Sequence, residues 1–416
     1  MHLYYFDGLV SAQHFIFIKN KTMHRFISLC AFFCLFATLC MAKSNIKSPA
    51  PGEADTAAYY NMLRGKKIGL LINQSATYND TLLLDRLMQQ QIMVVKIFVP
   101  EHGFRGTEDA GTEFGNSTDK KTGLPIISLY GKHKKPTQED LQGIDILVYD
   151  LQDVGVRFYT YVSTLQYCME ACAENKVSLV VMDRLNPNGF YVDGPVLDTE
   201  NRSFVGMQPV PIVYGMTAGE YALMLKGEQW SKNTDGLDLK VIKCLNYTHK
   251  TTVPGYLPPS PNLRTWASLI GYPSMCLFEG TKLSVGRGTD SPFLQFGAPE
   301  LKGSYKYSFT PTVKKGATKP LYENKTCYGF YIGNNEKDLI KKMSSGMYLQ
   351  WILNAYNKYP DKEHFFNDFF IKLAGSKTLE QQIKAGKTDK EIKASWQPKL
   401  NTFKVIRKKY LLYSDF

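Results

Sequence analysis

The residues of this chain best suited to chemistry stand at Pro100-Glu101-His102-Gly103-Phe104-Arg105-Gly106. A carboxyl group such as Glu101 can give or take a proton during bond cleavage. An imidazole and a guanidinium follow it within a few positions. Two more acids occupy similar settings. Asp150 leads into Gln152-Asp153-Val154-Gly155-Val156-Arg157-Phe158-Tyr159-Thr160-Tyr161, and Asp183-Arg184 precedes Asn186-Pro187-Asn188-Gly189. Acids sharing a crevice shift one another, and burial or like charge raises one carboxyl pKa toward neutrality. That yields a group able to protonate a leaving oxygen while a second carboxylate stays ionised. One such Asp alone is more often a helix cap or turn residue. Three of them, flanked by Arg105, Arg157 and Arg184, point toward a site.

A second cluster is Phe278-Glu279-Gly280-Thr281-Lys282-Leu283-Ser284-Val285-Gly286-Arg287-Gly288-Thr289-Asp290. Its glycines allow a ligand close to the backbone, and an arginine fork suits a carboxylate or phosphate. It has no phosphate-loop ending and no dinucleotide fingerprint. Gly215-Met216-Thr217-Ala218-Gly219-Glu220 has nucleophile-elbow spacing but carries Thr where Ser is needed. It reads instead as a helix start, with Thr217 as N-cap and Glu220 closing a capping box. His102, His133, His249 and His364 are too scattered for a metal site, so His102 is an orienting or substrate-binding group. Tyr159 and Tyr161, beside Arg157, are the aromatics expected near a polar ligand such as a sugar.

The elements that must position these groups alternate. Lys67–Asn73, Val94–Val99, Ile126–Leu129, Asp145–Leu151 and Ser178–Asp183 read as strands, and Thr81–Gln91 and Leu165–Lys176 as helices. Alternation of this kind predicts an α/β fold with a doubly wound parallel sheet. In such sheets ligands bind beyond the carboxyl ends of the strands, where Glu101, Asp150 and Asp183 fall. Pro254–Pro261 predicts a stiff loop near a boundary. After about Tyr272 the pattern changes: Tyr305–Phe309 and Tyr328–Ile332 read as short strands, Asp338–Tyr356 and Glu363–Leu373 as helices, and the basic tail Lys404–Tyr410 as a solvated helix end.

A chain of 416 residues can bury a full core in two domains. Its +12 formal charge suits an anionic partner or simple solubility. Met23-His24-Arg25 and the apolar run Phe26–Leu39, followed by Cys40-Met41-Ala42, read as a secretion signal with Met23 as the true start and cleavage after Ala42. Lipid attachment at Cys40 is the alternative, although Leu39 is bulky for it. The run is shorter than the ~18 apolar residues a membrane span needs. Residues 1–42 are thus the signal and 43–59 a flexible lead-in. Cys168, Cys172, Cys244, Cys276 and Cys327 remain, odd in number and scattered, which is no disulfide framework. Cys168 and Cys172, at helical spacing, read as buried packing.

Pro100–Gly106, Asp150–Tyr161, Asp183–Pro187, Tyr214–Glu220, Pro258–Asn262 and Tyr272–Pro299, in that order, resemble the exo-β-N-acetylmuramidase (NamZ) family. The likeness runs from about residue 60 to the C-terminus. It implies an exo-acting peptidoglycan hydrolase that removes terminal N-acetylmuramic acid from the non-reducing end. It further implies a Rossmann-like domain over 60–270, a smaller α+β domain over 271–416, and an active-site cleft between them. The family's catalytic glutamate matches Glu101. Leu185 stands where the family commonly has proline, which loosens one loop and removes no charged group.

Residue reading and resemblance meet in a glycosidase, which usually needs two carboxyl groups. Glu101 is the expected general acid, and Asp153, Asp183 or Glu279 the second carboxylate. Participation by the substrate's own 2-acetamido group is the alternative. The lactyl carboxylate of muramic acid suits an arginine fork, with Arg287, Arg157 and Arg105 as candidates in that order. His102, Asp150, Tyr159, Asn262 and Asp290 complete the expected substrate-binding set. The expected partners are peptidoglycan-derived saccharides carrying N-acetylmuramic acid, met in the periplasm or outside the cell, without cofactor, metal, nucleic acid or membrane span. A non-catalytic sugar-binding protein is the leading rival; a dinucleotide enzyme and a nucleic-acid binder stand further back.

Overall fold

Five apolar, β-branched runs carry too little polarity to face water, so they stack side by side as the buried centre of a sheet. The computed structural model describes residues 48–104, 115–252 and 258–416. Twelve strands occur among them: β1 (Ile68–Ile72), β2 (Thr77–Tyr78), β3 (Thr81–Leu82), β4 (Val94–Val99), β5 (Ser117–Thr118), β6 (Pro125–Ser128), β7 (Ile146–Asp150), β8 (Ser178–Met182), β9 (Leu239–Ile242), β10 (Gln295–Ala298), β11 (Tyr307–Phe309) and β12 (Cys327–Tyr331). The main sheet has the order β5-β6-β4-β1-β7-β8-β9, parallel except for the edge pair β5–β6. β10, β12 and β11 form a small antiparallel sheet in the C-terminal part. This is the α/β architecture expected, with a smaller mixed part after it. From Pro49 to Phe416 the chain packs as one compact unit.

Every residue of β1 and β7 is buried. A Cβ at Gly69 in β1 would lie 2.9 Å from Ile144 and 3.2 Å from Phe98, so only glycine lets those side chains close over the sheet. Helix Tyr161–Glu174 follows β7 and packs on one face. Helix Ala218–Gly227 starts as its sequence predicts. Thr217 Oγ1 accepts from Glu220 N at 3.2 Å, and Thr217 N donates to Glu220 Oε2 at 2.9 Å. Cys168 and Cys172 are buried in the core, as their spacing suggested.

Two expectations change. The lead-in over 43–59 is built into the fold from Pro49 onward. Ala50 and Leu245 exchange backbone hydrogen bonds of 2.9 and 2.8 Å, and Glu53 is fully buried against Arg184 and Arg86. The helix expected over Asp338–Tyr356 is two helices, Glu336–Met343 and Gln350–Lys358. It breaks at Gly346 (φ +107°), where Asp193 Oδ2 accepts from Met347 N at 2.8 Å; a Cβ at Gly346 would meet that same carboxylate at 2.2 Å. The basic tail is the solvated helix end expected: it closes the long helix Asp389–Lys408, with Lys404, Lys408 and Lys409 exposed and Arg407 turned inward. The expected signal and Cys40 lie outside the described residues. Among those described, no helix is long and apolar enough to cross a membrane.

Candidate active site

A cleft of about 820 Å³ opens beyond the carboxyl ends of β4 and β6. The C-terminal part supplies its other wall, through Tyr272, Cys276, Glu279, Arg287 and Phe293. Glu101 reaches the cleft because Pro100 ends the ladder and turns the chain out of the sheet. Thr160, at the head of helix Tyr161–Glu174, donates from Oγ1 to Glu101 Oε2 at 2.9 Å. His102 follows in left-handed backbone (φ +75°) and lines the cleft, largely buried.

On the facing wall Arg287 donates from Nε to Glu279 Oε1 at 2.6 Å, and its guanidinium sits 4.9 Å from the Phe293 ring centroid. Its terminal nitrogens make no hydrogen bond to the described residues and remain for a ligand. Phe293 has φ +60°, a steric outlier for an aromatic residue. Its N–H donates to Val285 O at 2.8 Å, and its ring meets Tyr272 edge-on at 4.9 Å. Strain of this kind persists only where its surroundings hold it and gathers at ligand sites. Here it presents the ring beneath Arg287. Tyr159 continues the wall, edge-on to Tyr272 at 6.1 Å and to Tyr161 at 4.7 Å. The Tyr161 hydroxyl accepts from Asn73 Nδ2 and donates to Pro259 O, which fixes that wall to β1 and to the loop before Asn262.

Of the predicted site residues, the cleft therefore collects Glu101, His102, Tyr159, Tyr161, Glu279 and Arg287. The expectation that three strand-end acids share one crevice is corrected. Asp150 is buried in a two-pronged pair with Arg184, which also donates to Glu53 Oε2 at 2.9 Å. Asp183 is buried where β8 meets helix Ala218–Gly227, accepting from Thr217 Oγ1, Tyr413 OH and Gly219 N. Burial pushes its carboxyl up to about 6 despite those donors. Asp153 turns inward, accepting from Tyr214 OH and Gly155 N on Oδ2. None of these three lines the cleft. The reason is common to them: the residues after each strand find internal donors before they reach solvent.

Arg157 is likewise buried. Its Nη1 donates to Pro195 O and Val210 O, and its Nη2 to Leu373 O and Ala374 O, all at 2.7–2.9 Å. It clamps the end of helix Phe369–Ala374, whose carbonyls carry partial negative charge. Burial lowers its pKa to about 9. Asn262 donates from Nδ2 to Gly316 O at 2.7 Å, tying two loops behind the cleft. Asp290 is an exposed partner of Lys314 at 2.5 Å, outside the lining. Arg105 falls outside the described residues. Sequence reading missed Thr160, Tyr272 and Phe293, though all three sit inside stretches singled out there. It also missed Tyr130, Lys134 and Phe204, which line the cleft and belong to no such stretch.

Asp153 gives a pH test. Burial raises its carboxyl from 3.8 to about 6 in the fold, so the native state holds the proton longer than the unfolded chain. Stability carried by that group is present below about pH 4 and is lost as pH rises through about 6. Asp153→Asn keeps an oxygen for Tyr214 and Gly155 and carries no charge. Relative to wild type, the variant should gain on the order of 2–3 kcal/mol between pH 4 and pH 8 in urea unfolding. A constant difference across that range would show that the carboxyl does not titrate as its burial requires.

Residues 68–267 match the family described as exo-beta-N-acetylmuramidase NamZ, N-terminal, and residues 270–413 match its C-terminal counterpart. The chain is 38% identical over 381 residues to the peptidoglycan beta-N-acetylmuramidase NamZ of Bacillus subtilis (strain 168), covering 85% of this chain and 89% of that protein. A crystal structure of a DUF1343 family protein from Bacteroides fragilis superposes with a TM-score of 0.82 at 43% identity, over 89% of this chain and 100% of that one. A second DUF1343 family protein from the same organism gives 0.73 at 28% identity, over 88% and 99%.

Proposed function

Since the chain belongs to the exo-β-N-acetylmuramidase NamZ family and is a glycosidase, we propose that it releases terminal N-acetylmuramic acid from the non-reducing end of peptidoglycan fragments. The observation that carries this reading is Glu101 in one cleft with the Glu279–Arg287 pair. Glu101 is the general acid. The bond from the sugar's anomeric carbon to the glycosidic oxygen breaks, and that oxygen takes the Glu101 proton as the leaving sugar departs. Glu279 is the second carboxylate, held in place by Arg287. It acts on water or on the anomeric carbon directly, or it orients a participating 2-acetamido group. Water supplies the hydroxyl of the released sugar.

Arg287 also has the terminal nitrogens to receive the lactyl carboxylate, the group that separates muramic acid from glucosamine. Secretion through the N-terminal signal brings the enzyme to the wall, in the periplasm or outside the cell, where cleavage supports recycling of wall fragments. Incubation with N-acetylmuramyl-N-acetylglucosamine should yield free N-acetylmuramic acid. Retention of the disaccharide without product would favour the binding-protein reading instead. Arg287→Ala should reduce the preference for a β-muraminide over the matching β-glucosaminide by about 10- to 100-fold, the worth of one charge-assisted hydrogen-bonded pair. An unchanged preference would remove Arg287 from lactyl recognition.

A further inference from the structure

The cleft has an aromatic corner that the reaction as described does not use. β6 runs parallel to β4, with Val99 beside Ser128, and Leu129 N donates to Val99 O at 2.9 Å. Tyr130 therefore leaves the sheet next to Glu101. The Phe204 ring packs against it at 6.3 Å, tilted by 56°. Tyr167, on helix Tyr161–Glu174, lies nearly parallel to Phe204 (14°, 6.0 Å) and does not line the cleft. Tyr167 thus backs one face of Phe204. The Lys134 ammonium stands 4.9 Å from the ring centroid, and Tyr130, Lys134 and Phe204 all line the cleft.

The order of groups along the wall supplies the assignment. By ring contacts, Arg287 leads to Phe293, Tyr272 and Tyr159. The neighbouring Thr160 is bonded to Glu101, beside Glu101 comes Tyr130 by strand register, and Phe204 packs on Tyr130. If Arg287 marks the muramic acid ring, as the proposed function has it, the aromatic corner lies past the proton donor, where the leaving sugar must sit. A pyranose presents an apolar C–H face and a polar edge. A backed aromatic ring suits the face. A flexible ammonium beside it suits the hydroxyls and acetamide oxygen of the edge.

We propose that Phe204, with Tyr130 and Lys134, forms the subsite that holds the N-acetylglucosamine leaving group and aims its glycosidic oxygen at Glu101. Lys134 swings from the ring face to the sugar edge when that subsite fills. Phe204 is a specificity-determining residue for the sugar on the reducing side of the bond, a choice separate from lactyl recognition.

Two substrates separate these choices: N-acetylmuramyl-N-acetylglucosamine, which fills the corner, and N-acetylmuramyl β-fluoride, which has no leaving ring. In Phe204→Ala the ratio of kcat/KM for the disaccharide to that for the fluoride should fall by tenfold or more, and product inhibition by free N-acetylglucosamine should weaken in parallel. Phe204→Leu keeps apolar volume without a flat face and should show the same fall even if the alanine variant folds poorly. An unchanged ratio in a folded variant, whether both activities hold or both drop together, overturns the subsite. Failure of the wild-type protein on both substrates would instead overturn the proposed function.

Discussion

Glu101→Gln should lower kcat/KM on N-acetylmuramyl-N-acetylglucosamine by roughly 10²–10⁴-fold, the range that a general acid contributes. The substitution is nearly isosteric. The glutamine carbonyl can still accept from Thr160 Oγ1, which donates to Glu101 Oε2 at 2.9 Å, so the urea midpoint should stay close to wild type. What disappears is the transferable proton. A sugar alkoxide is a poor leaving group and needs that proton, whereas a nitrophenolate needs it far less. The loss on a nitrophenyl β-muraminide should therefore be clearly smaller than on the disaccharide. Equal losses on both would move Glu101 to the nucleophile or base position. Turnover like wild type would take it out of the mechanism. Glu279→Gln, assayed alongside, should depress both substrates together, because the second carboxylate acts whatever the leaving group.

The largest expected loss of stability lies well away from the cleft. Arg184→Met should destabilise the fold by about 3–5 kcal/mol, the penalty for removing one partner of a buried ion pair. Arg184 is the shared cation of two fully buried acids: it grips Asp150 with two prongs and donates to Glu53 Oε2 at 2.9 Å. Of the two acids Arg86 reaches Glu53, at 3.2 Å, and not Asp150. The variant would leave Asp150 without a cation and would loosen the segment from Pro49 to Ala54. Glu53 already sits at about 7, raised first by burial and then by the Asp150 charge. An acid whose folded pKa is raised favours the fold at low pH, where it is protonated. The deficit of the variant should therefore shrink as pH falls from 8 toward 5. Adding Asp150→Asn should recover part of the loss at pH 8, since the neutral amide needs no counter-charge. A deficit below about 1 kcal/mol at neutral pH would show that water reaches these acids and that the cluster is no anchor.

The alternating β-branched runs determined the parallel sheet, because a strand buried on both faces must be apolar along its whole length. Local chemistry determined the start of helix Ala218–Gly227, since a capping box involves only residues three apart. Pro100 likewise announced that Glu101 leaves the ladder. The acids separate differently. Asp150, Asp153 and Asp183 share the strand-end position of Glu101, and nothing local distinguishes them. Their partners come from distant stretches: Arg184, shared with Glu53, for Asp150, Tyr214 for Asp153, Thr217 and Tyr413 for Asp183. Which carboxylate faces solvent was decided only when those stretches met. The same holds for Arg157, which spends its fork on carbonyls as far away as Leu373 and Ala374. It holds too for Phe204, an isolated aromatic in the sequence that becomes a cleft wall through Tyr130 and Tyr167. Periodicity and capping are short-range properties and can be read along the chain. The pairing of charges and rings across a cleft is long-range, so the tertiary fold alone selects which of several equivalent residues meets the substrate.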